Sequence, residues 1–338
     1  MNQTAISVLA AAVLTAVILA AAPGTRDPAS STGPASRPAR QFGDRRRIEP
    51  LANQVEKLRP LARPLGQPQP GQWLHDHPEP GQTFGQYVEA GAVVPSAQRC
   101  TIYVQPMGDF DQTQRRIVDK ASQFLAIYYG LEVKTLDTMP LSVIPLDERR
   151  MHPQLGNVQI RTGYVLEDVL LPHMPKDAFA LIALTTADLW PGEDWNFVFG
   201  SASLQKRVGV WSLYRFGNPG AGPEQYKLAL LRTLKTASHE SGHMFGMLHC
   251  TAYQCNMCGS NSQEERDDRP LAMCPECLAK LCWAAGCDPV ERFDRLREFY
   301  LVNGLAGEAQ YCDRALEALG HKPQTKPAQK PSTHPGNT

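Results

Sequence analysis

The stretch HESGHMFGMLHC, residues 239–250, carries three histidines at spacings that suit one metal ion. Side chains four residues apart project from the same face of a helix, so His239 and His243 can bind a shared ion. Gly246 can take the left-handed conformation that ends a helix, and the chain can then return His249 as a third ligand. The pattern therefore predicts a three-histidine metal site where a helix ends.

Zinc in catalytic sites typically has three protein ligands and one position left for water. Three neutral imidazoles leave the charge of the ion intact, and zinc lowers the pKa of its coordinated water to about 7. Glu240 follows the first histidine, where its carboxylate can accept a proton during attack on a carbonyl and pass it to the leaving amine. These residues predict hydrolysis of an amide, with Glu240 as general base and then general acid.

The full HExxHxxGxxH pattern marks the metzincin clan of zinc peptidases. The stretch from His249 to Leu281 resembles the archaemetzincin family: a cysteine adjoins the third histidine, another comes five residues later, a methionine lies two beyond it, and a CPxC pair follows. This resemblance extends from about Trp73 to about Tyr300. It implies a zinc-dependent peptidase acting on peptides or proteins, with Met257 as a methionine turn that forms an apolar floor beneath the imidazoles.

Seven of the nine cysteines lie within residues 250–287, beside the histidines, which favours metal binding over a disulfide framework. Spacing alone predicts a zinc site of two C-x2-C pairs, formed by Cys255, Cys258, Cys274 and Cys277. The resemblance implies instead a second, structural zinc held by Cys250, Cys255, Cys274 and Cys277, and we follow this assignment. No role is assigned to Cys100, Cys258, Cys282, Cys287 and Cys312.

The elements around these residues indicate a mixed α/β domain. By its resemblance to metzincins, it should have a twisted mixed sheet, a zinc-binding helix and a small helical C-terminal part stapled by the second zinc. Alternating and β-branched residues predict strands within 100–108, 131–136, 179–190, 196–204 and 208–216. The resemblance places the stretch 196–204 at the edge of the cleft, as the antiparallel strand that receives substrate.

Helix signals surround the predicted strands. A capping box at Asp111 and Gln114 and a terminating Gly130 predict one helix, and Pro223 begins another that runs into His239. On that second helix, one apolar side is predicted to carry Leu228, Leu231, Leu234 and Ala237. Further helices are predicted at 163–171, 288–305 and 306–319. The acidic and basic run 264–269 and the loop around His75 and His77 are expected to be solvated.

The remaining chain suggests a peptidase domain at 72–320 between less structured segments. Residues 5–22 form an uncharged apolar run, so 1–22 is interpreted as a signal peptide or membrane anchor. A Pro- and Arg-rich linker is predicted at 23–71, with room for a short helix within 48–64, and a disordered tail is predicted at 321–338. We expect export or anchoring to a membrane through 5–22, with a cytoplasmic location as the alternative.

Composition limits the class of partner. The chain has 338 residues, 42% of them hydrophobic, with 34 basic and 34 acidic residues. A balanced charge gives no field that would attract nucleic acid, so we expect none as a partner. A monomer is expected. Two other functions remain open from the sequence: hydrolysis of an amide other than a peptide, and a zinc-stapled binding module without turnover.

Overall fold

The computed structural model of the protein describes residues 41–322, except positions 194 and 204. The signal peptide or anchor predicted at 1–22, the first part of the linker and nearly all of the predicted tail lie outside the described residues. Export and membrane attachment through residues 5–22 therefore stay predictions, as does the monomeric state. Within the described part, no helix combines the length and apolar character needed to cross a membrane.

The described strands form two sheets. In chain order they are β1 (Thr101–Met107), β2 (Glu132–Thr135), β3 (Arg149–Met151), β4 (Val158–Arg161), β5 (Ala178–Thr185), β6 (Asp188–Trp190), β7 (Gly200–Ser203) and β8 (Val208–Ser212). The larger sheet has the order β2-β1-β5-β8-β7, in which β7 alone pairs antiparallel. The smaller sheet has the order β3-β4-β6. The predicted mixed sheet is confirmed, and β7 lies at its edge.

Helices of very different length accompany the sheets. In chain order they are α1 (Ile48–Glu56), α2 (Trp73–Asp76), α3 (Phe84–Glu89), α4 (Gln112–Tyr129), α5 (Thr162–Tyr164), α6 (Pro223–Met244), α7 (Gln263–Asp268), α8 (Pro275–Ala284), α9 (Pro289–Val302) and α10 (Ala306–Ala318). The helix predicted at 163–171 is irregular, because α5 continues as a π-helical turn and then a 3-10 turn. Together with the sheets, these helices confirm the α/β class.

Helix α4 has the ends that its sequence predicts. The Asp111 carboxylate accepts a hydrogen bond from the backbone N of Gln114 at 2.8 Å, and the Gln114 side chain accepts one from the backbone N of Asp111 at 3.0 Å. Gly130 ends the helix with a φ of 64°. The buried stripe between these caps packs α4 against the zinc-motif helix α6 and strand β2.

Alternating side chains of the large sheet enter two separate cores. On β1, Ile102 and Val104 join the core that also contains α4, α6 and the C-terminal helices. Tyr103 and Met107 point the other way, into a smaller core with residues of β4 and the irregular helix. Since both faces are covered, β1 and β5 are buried along their whole length.

The stretch 179–190, predicted as one strand, is two. The hydroxyl of Thr185 accepts a hydrogen bond from the backbone N of Ala187 at 3.1 Å, a local turn that interrupts the ladder. The chain then enters the smaller sheet as β6, where the fully buried Asp188 pairs with Arg215 at 2.7 Å. Apolar composition alone could not reveal this turn, because the polar residues within it are buried too.

Helix α6 buries the predicted side except at its start, and Leu231 is half-buried against the larger core. Leu228 is 42% exposed, and the buried apolar residues nearest to it are Ala229 and Leu230. Further along, Leu234 and Ala237 are buried as predicted. At the start of the helix, the buried apolar residues are therefore one or two positions later than predicted. In its C-terminal half, the buried side is the predicted one.

The run 264–269, predicted to be a solvated loop, lies mostly in α7. Ser262 caps this helix by accepting a hydrogen bond from the backbone N of Glu265 at 3.1 Å. Glu265 is buried and accepts hydrogen bonds from the backbone N of Trp73, and Asp267 pairs with Arg232 of α6. Part of the run that suggested a loop is thus buried, whereas Glu264 and Asp268 are exposed.

The segment predicted as a linker, 23–71, differs from that prediction in its second half. Helix α1 packs against α8, and Leu51, Val55 and Leu58 are 1–4% exposed. These three residues are spaced as one face of a helix, so the segment adds to the core despite its many prolines and arginines.

Candidate metal centre

The three histidines of the motif meet at the end of α6. The Nε2 atoms of His239 and His243 lie 3.0 Å apart, as expected for residues one helical turn apart. Gly246, with a φ of 80°, turns the chain after the helix, and His249 returns so that its ring centre lies 4.9 Å from that of His243. One ring nitrogen from each of the three histidines lies within 4.8 Å of the other two.

Each imidazole is oriented through its other nitrogen. The Nδ1 atoms of His239 and His243 lie 2.8 Å and 2.7 Å from the carbonyl oxygens of Asn256 and Met247. Nδ1 of His249 lies 2.9 Å and 3.0 Å from the two carboxylate oxygens of Glu79. An Nδ1–H that donates to such acceptors leaves the Nε2 lone pair available, which is the tautomer a metal requires.

Burial also favours the neutral form of two rings. It lowers the pKa of His239 well below its usual value and that of His243 to about 4. Neutral imidazole is the form that binds zinc, so near neutral pH these two ligands need not lose a proton before the metal binds.

Met257, predicted to form a methionine turn, lies against α6. The residue is fully buried, and a Cβ atom built on Gly242 of α6 would lie 2.6 Å from its Sδ. Gly242 separates the two helical histidines in the sequence, so the thioether lies against the helix between them. Asn256, which holds His239, precedes Met257 in the same turn.

Glu240 is half-buried beside strand β7. A Cβ atom built on Gly200 of β7 would lie 3.3 Å from Cγ of Glu240. Burial raises the pKa of the Glu240 carboxyl, and the positive charge of Arg266 opposes this rise. Arg266 is 7% exposed, and its Nε and Nη2 atoms have no hydrogen-bond partner within the described part of the chain.

Four thiols form a second cluster close to the histidines. They belong to the set that the resemblance implies: Cys250, Cys255, Cys274 and Cys277. Sγ of Cys250 lies 3.7 Å from Sγ of Cys274, and Sγ of Cys255 accepts a hydrogen bond from the backbone N of Cys274 at 3.3 Å. A hydrogen bond from Cys255 is the main cause that lowers the pKa of Cys250. Four buried thiols within reach of one ion suit a closed tetrahedral zinc site.

Cys258, which spacing alone had favoured, is not among these four. Its Sγ donates to the carbonyl oxygen of Tyr253 at 3.1 Å. The backbone N of Cys258 closes a turn by donating to the carbonyl oxygen of Cys255 at 3.0 Å, and the thiol is left out of the group of four whose Sγ atoms lie within 4.8 Å of one another.

The other four cysteines without an assigned role belong to neither cluster. Cys100 is half-buried and Cys312 is buried. Cys282 and Cys287 are buried, and the Cys287 thiol donates a hydrogen bond to Sγ of Cys282 at 3.3 Å.

Three residues near the histidines were missed from the sequence. Glu79 and Trp73 reach the centre from a segment far away along the chain, and Arg266 belongs to the helix mistaken for a loop. No spacing rule links the first two to the motif. His75 and His77 are exposed, as predicted, but His75 lies in helix α2 and not in a loop, and it contacts Asp76.

Comparison with known proteins agrees with these features. Residues 98–282 match the model of peptidase family M54. The chain is 36% identical to archaemetzincin-2 of Homo sapiens over an alignment of 259 residues. This alignment covers 67% of this chain and 71% of the relative. Archaemetzincin-1 of Homo sapiens is 29% identical over 235 residues, covering 60% and 46% of the two chains.

Solved structures of archaemetzincins are also similar to this chain. The protein from Archaeoglobus fulgidus, complexed with malonate, is 28% identical and covers 53% of this chain and 99% of its own, with a TM-score of 0.42. The protein from Methanopyrus kandleri is 28% identical and covers 56% and 96%, with a TM-score of 0.44. The family model and the level of identity to archaemetzincin-2 confirm the resemblance stated from the motif, and the chain belongs to the archaemetzincins, the zinc metallopeptidases of family M54.

Proposed function

We propose that the chain hydrolyses peptide bonds at the three-histidine centre, with Glu240 as general base. One observation carries the proposal: three ring nitrogens converge while the opposite nitrogen of each ring is held by its own acceptor. Such preorganised imidazoles, next to a half-buried carboxylate, suit hydrolysis at a metal better than they suit a structural site, which is usually closed by a fourth ligand.

His239, His243 and His249 would hold the catalytic zinc. Their donor set fits the ion, because neutral imidazole is a preferred ligand and burial keeps two of the rings neutral. When bound, zinc supplies Lewis acidity, which polarises a carbonyl group and makes water more acidic. Met257 would keep the rings in place from below, through van der Waals contact.

Strand β7 is proposed to bind the substrate backbone. It lies at the edge of the large sheet, so one side of its backbone is left for an extended peptide to pair with. Gly200 on this strand lies against Glu240. A peptide paired with β7 would pass beside the Glu240 carboxylate, which brings its scissile bond to the base.

Glu240 is proposed to take a proton from the attacking water and to return it to the leaving nitrogen. Burial raises the pKa of its carboxyl, which makes the carboxylate a stronger base, and the charge of Arg266 helps to keep it ionised. A carboxylate with these two neighbours is suited to both transfers within one turnover.

A second zinc is proposed in the four-cysteine cluster, which would give two ions per chain. Cys250, Cys255, Cys274 and Cys277 would form a closed tetrathiolate site, whose role is to stabilise the fold. Because Cys250 adjoins His249, this ion would also fix the turn that carries the third catalytic ligand.

The first test is replacement of the base. We expect Glu240→Gln to keep both zinc ions but to reduce kcat by at least about 100-fold, since general base catalysis typically contributes that much. Hydrolysis is followed on a mixed peptide library by mass spectrometry, and zinc is counted by elemental analysis.

Glu264→Gln is the matched control, because Glu264 is an exposed carboxylate on α7. It should retain full activity. Unchanged hydrolysis by Glu240→Gln would contradict the proposed mechanism. A wild-type protein that cleaves small acyl amides but no peptide would contradict the proposed substrate class.

A further inference from the structure

The third histidine is held by a segment that lies outside the residues matched to family M54. Glu79 precedes the matched range, 98–282, yet both of its carboxylate oxygens lie within 3.0 Å of Nδ1 of His249. His239 and His243 rest on backbone carbonyls from the turns that follow α6. The third ligand alone depends on a side chain from a distant part of the chain.

Glu79 is itself held in place. The indole Nε1 of Trp73 donates a hydrogen bond to one carboxylate oxygen of Glu79 at 2.7 Å. The Trp73 ring lies edge-on to the His249 ring, with 5.4 Å between the ring centres, and packs against His77 at 4.3 Å. The Glu79 side chain is 26% exposed. Its carboxylate therefore has two fixed donors and limited access to water.

Trp73 is in turn anchored on the protein. Its backbone N donates to the buried carboxylate of Glu265 on α7, at 3.1 Å and 3.2 Å. Its ring occupies the space beside Gly259, where a Cβ atom would lie only 2.3 Å from Cδ1 of the indole. A chain of contacts thus runs from α7 through Trp73 and Glu79 to His249.

The hydrogen bond to Glu79 matters because His249 lies outside the helix that holds the other two histidines. His239 and His243 lie on a long packed helix, whereas His249 follows the glycine turn that ends it. A carboxylate that accepts the Nδ1–H fixes the ring and makes Nε2 a better ligand. Loss of such a partner typically costs about 10–100-fold in metal affinity.

We propose that Glu79, held by Trp73, is a positioning residue for His249, so that the segment 73–79 sets the affinity of the catalytic centre for zinc. Residues 73–79 then contribute to zinc binding as well as packing on the surface of the domain. This inference rests on the proposed function in one respect, namely that the three histidines bind zinc.

The test measures zinc affinity and not only activity. In the full chain, Glu79→Gln should weaken the binding of zinc at the three histidines by about 10–100-fold, as measured by competition with a chelator. Trp73→Phe keeps a ring beside Gly259 but removes the indole N–H, so a smaller loss is expected. Glu89→Gln, which alters an exposed carboxylate at the end of α3, is the control and should bind zinc like the wild type.

Melting temperatures separate positioning from a purely structural role. If Glu79 acts on the ligand, Glu79→Gln should reduce the rise in melting temperature that zinc produces and leave the zinc-free protein unchanged. Equal zinc affinity in the variant and the wild type would overturn the inference. An equal loss of stability with and without zinc would overturn it too.

The outcome is independent of the test of the base. If Glu240→Gln abolishes hydrolysis while Glu79→Gln binds zinc normally, the inference fails and the proposed function stands. If Glu240→Gln remains active while Glu79→Gln loses zinc, the proposed mechanism fails and the positioning role stands.

Discussion

Gly242 separates the two helical histidines and lets α6 contact the methionine turn. A Cβ atom at this position would lie 2.6 Å from Sδ of Met257 and 2.9 Å from its Cε. A close-packed interior has no room for such an approach, so any side chain here must displace Met257 or the helix. The close contact between Met257 and α6 therefore depends on a glycine that the ligand motif does not specify.

Replacing Gly242 with alanine sets two effects against each other. Alanine is favoured over glycine in a helix interior by about 1 kcal/mol, whereas overpacking costs about 1–3 kcal/mol. We expect overpacking to win, so that Gly242→Ala lowers the free energy of unfolding by about 1 kcal/mol and weakens zinc binding. Urea unfolding and chelator competition measure the two changes.

Gly307 in α10 offers the matched control. No heavy atom lies within 4 Å of a Cβ atom built there, so Gly307→Ala should stabilise the protein by about 0.4–1 kcal/mol. Equal stabilisation by both substitutions would be incompatible with close contact between Gly242 and Met257.

Single residues were predictable where the chemistry is local in sequence. Since His239, Glu240 and His243 lie on one stretch of helix, the roles proposed for them follow from spacing, whereas Glu79 and His249 lie 170 positions apart in the sequence. Only the folded chain brings that pair together. Arg266 could have been suspected only after its run of charges had been recognised as a buried helix.

At the scale of elements, the stretch that follows α6 contributes one histidine and two cysteines, His249, Cys250 and Cys255, to the two clusters. His249 and Cys250 are neighbours, and the backbone N of Cys250 donates to the carbonyl oxygen of Met257 at 2.8 Å. The preceding carbonyl, that of Asn256, holds His239. A substitution in the four-cysteine cluster should therefore also displace the histidines, because backbone hydrogen bonds connect the two clusters.

Two cysteine substitutions test this element. Cys274→Ser should lose one zinc per chain and lower the melting temperature by about 10 °C, because loss of a structural metal costs more than about 4 kcal/mol and each kcal/mol is worth about 2–4 °C in a domain of this size. Cys258→Ser should keep both ions. Elemental analysis and calorimetry provide the two readouts.

The comparison between the two variants decides the ligand set. Loss of zinc from Cys258→Ser, with retention in Cys274→Ser, would contradict the grouping of thiols seen in the structure. A normal zinc count in both would show that the cluster does not hold a metal.

Elements were predictable where both of their ends are marked in the sequence. Helix α4 has a capping box at Asp111 and a left-handed Gly130, so its bounds followed directly. The break after Thr185 and helix α7 were not predicted, because one depends on a side-chain hydrogen bond within an apolar run and the other on charge pairing with α6. Both are decided by tertiary contacts.

On the scale of the whole molecule, the N-terminal segment completes the larger core. Leu51, Val55 and Leu58 join the core that contains α6 and α8. The segment also pairs with the metal-binding turn, since the backbone N of Leu65 donates to the carbonyl oxygen of Ala252 at 3.0 Å. The short helix allowed within 48–64 is present as α1, but composition did not predict that it packs into the core; the spacing of the three apolar residues was the signal for its buried face.

A chain that begins at residue 72 should therefore be much less stable than one that begins at 41, although both contain every ligand. Burial of each large apolar side chain contributes about 1.5–3 kcal/mol, so removing Leu51, Val55 and Leu58 should cost at least about 4 kcal/mol. Urea unfolding of the two zinc-loaded proteins, 41–322 and 72–322, measures the difference. Within the longer chain, Leu58→Ala should cost about 2–5 kcal/mol, whereas Leu228→Ala, at a half-exposed position on α6, should cost less than about 1 kcal/mol. Equal urea concentrations at the midpoint of unfolding for the two chains would show that residues 41–71 do not stabilise the core.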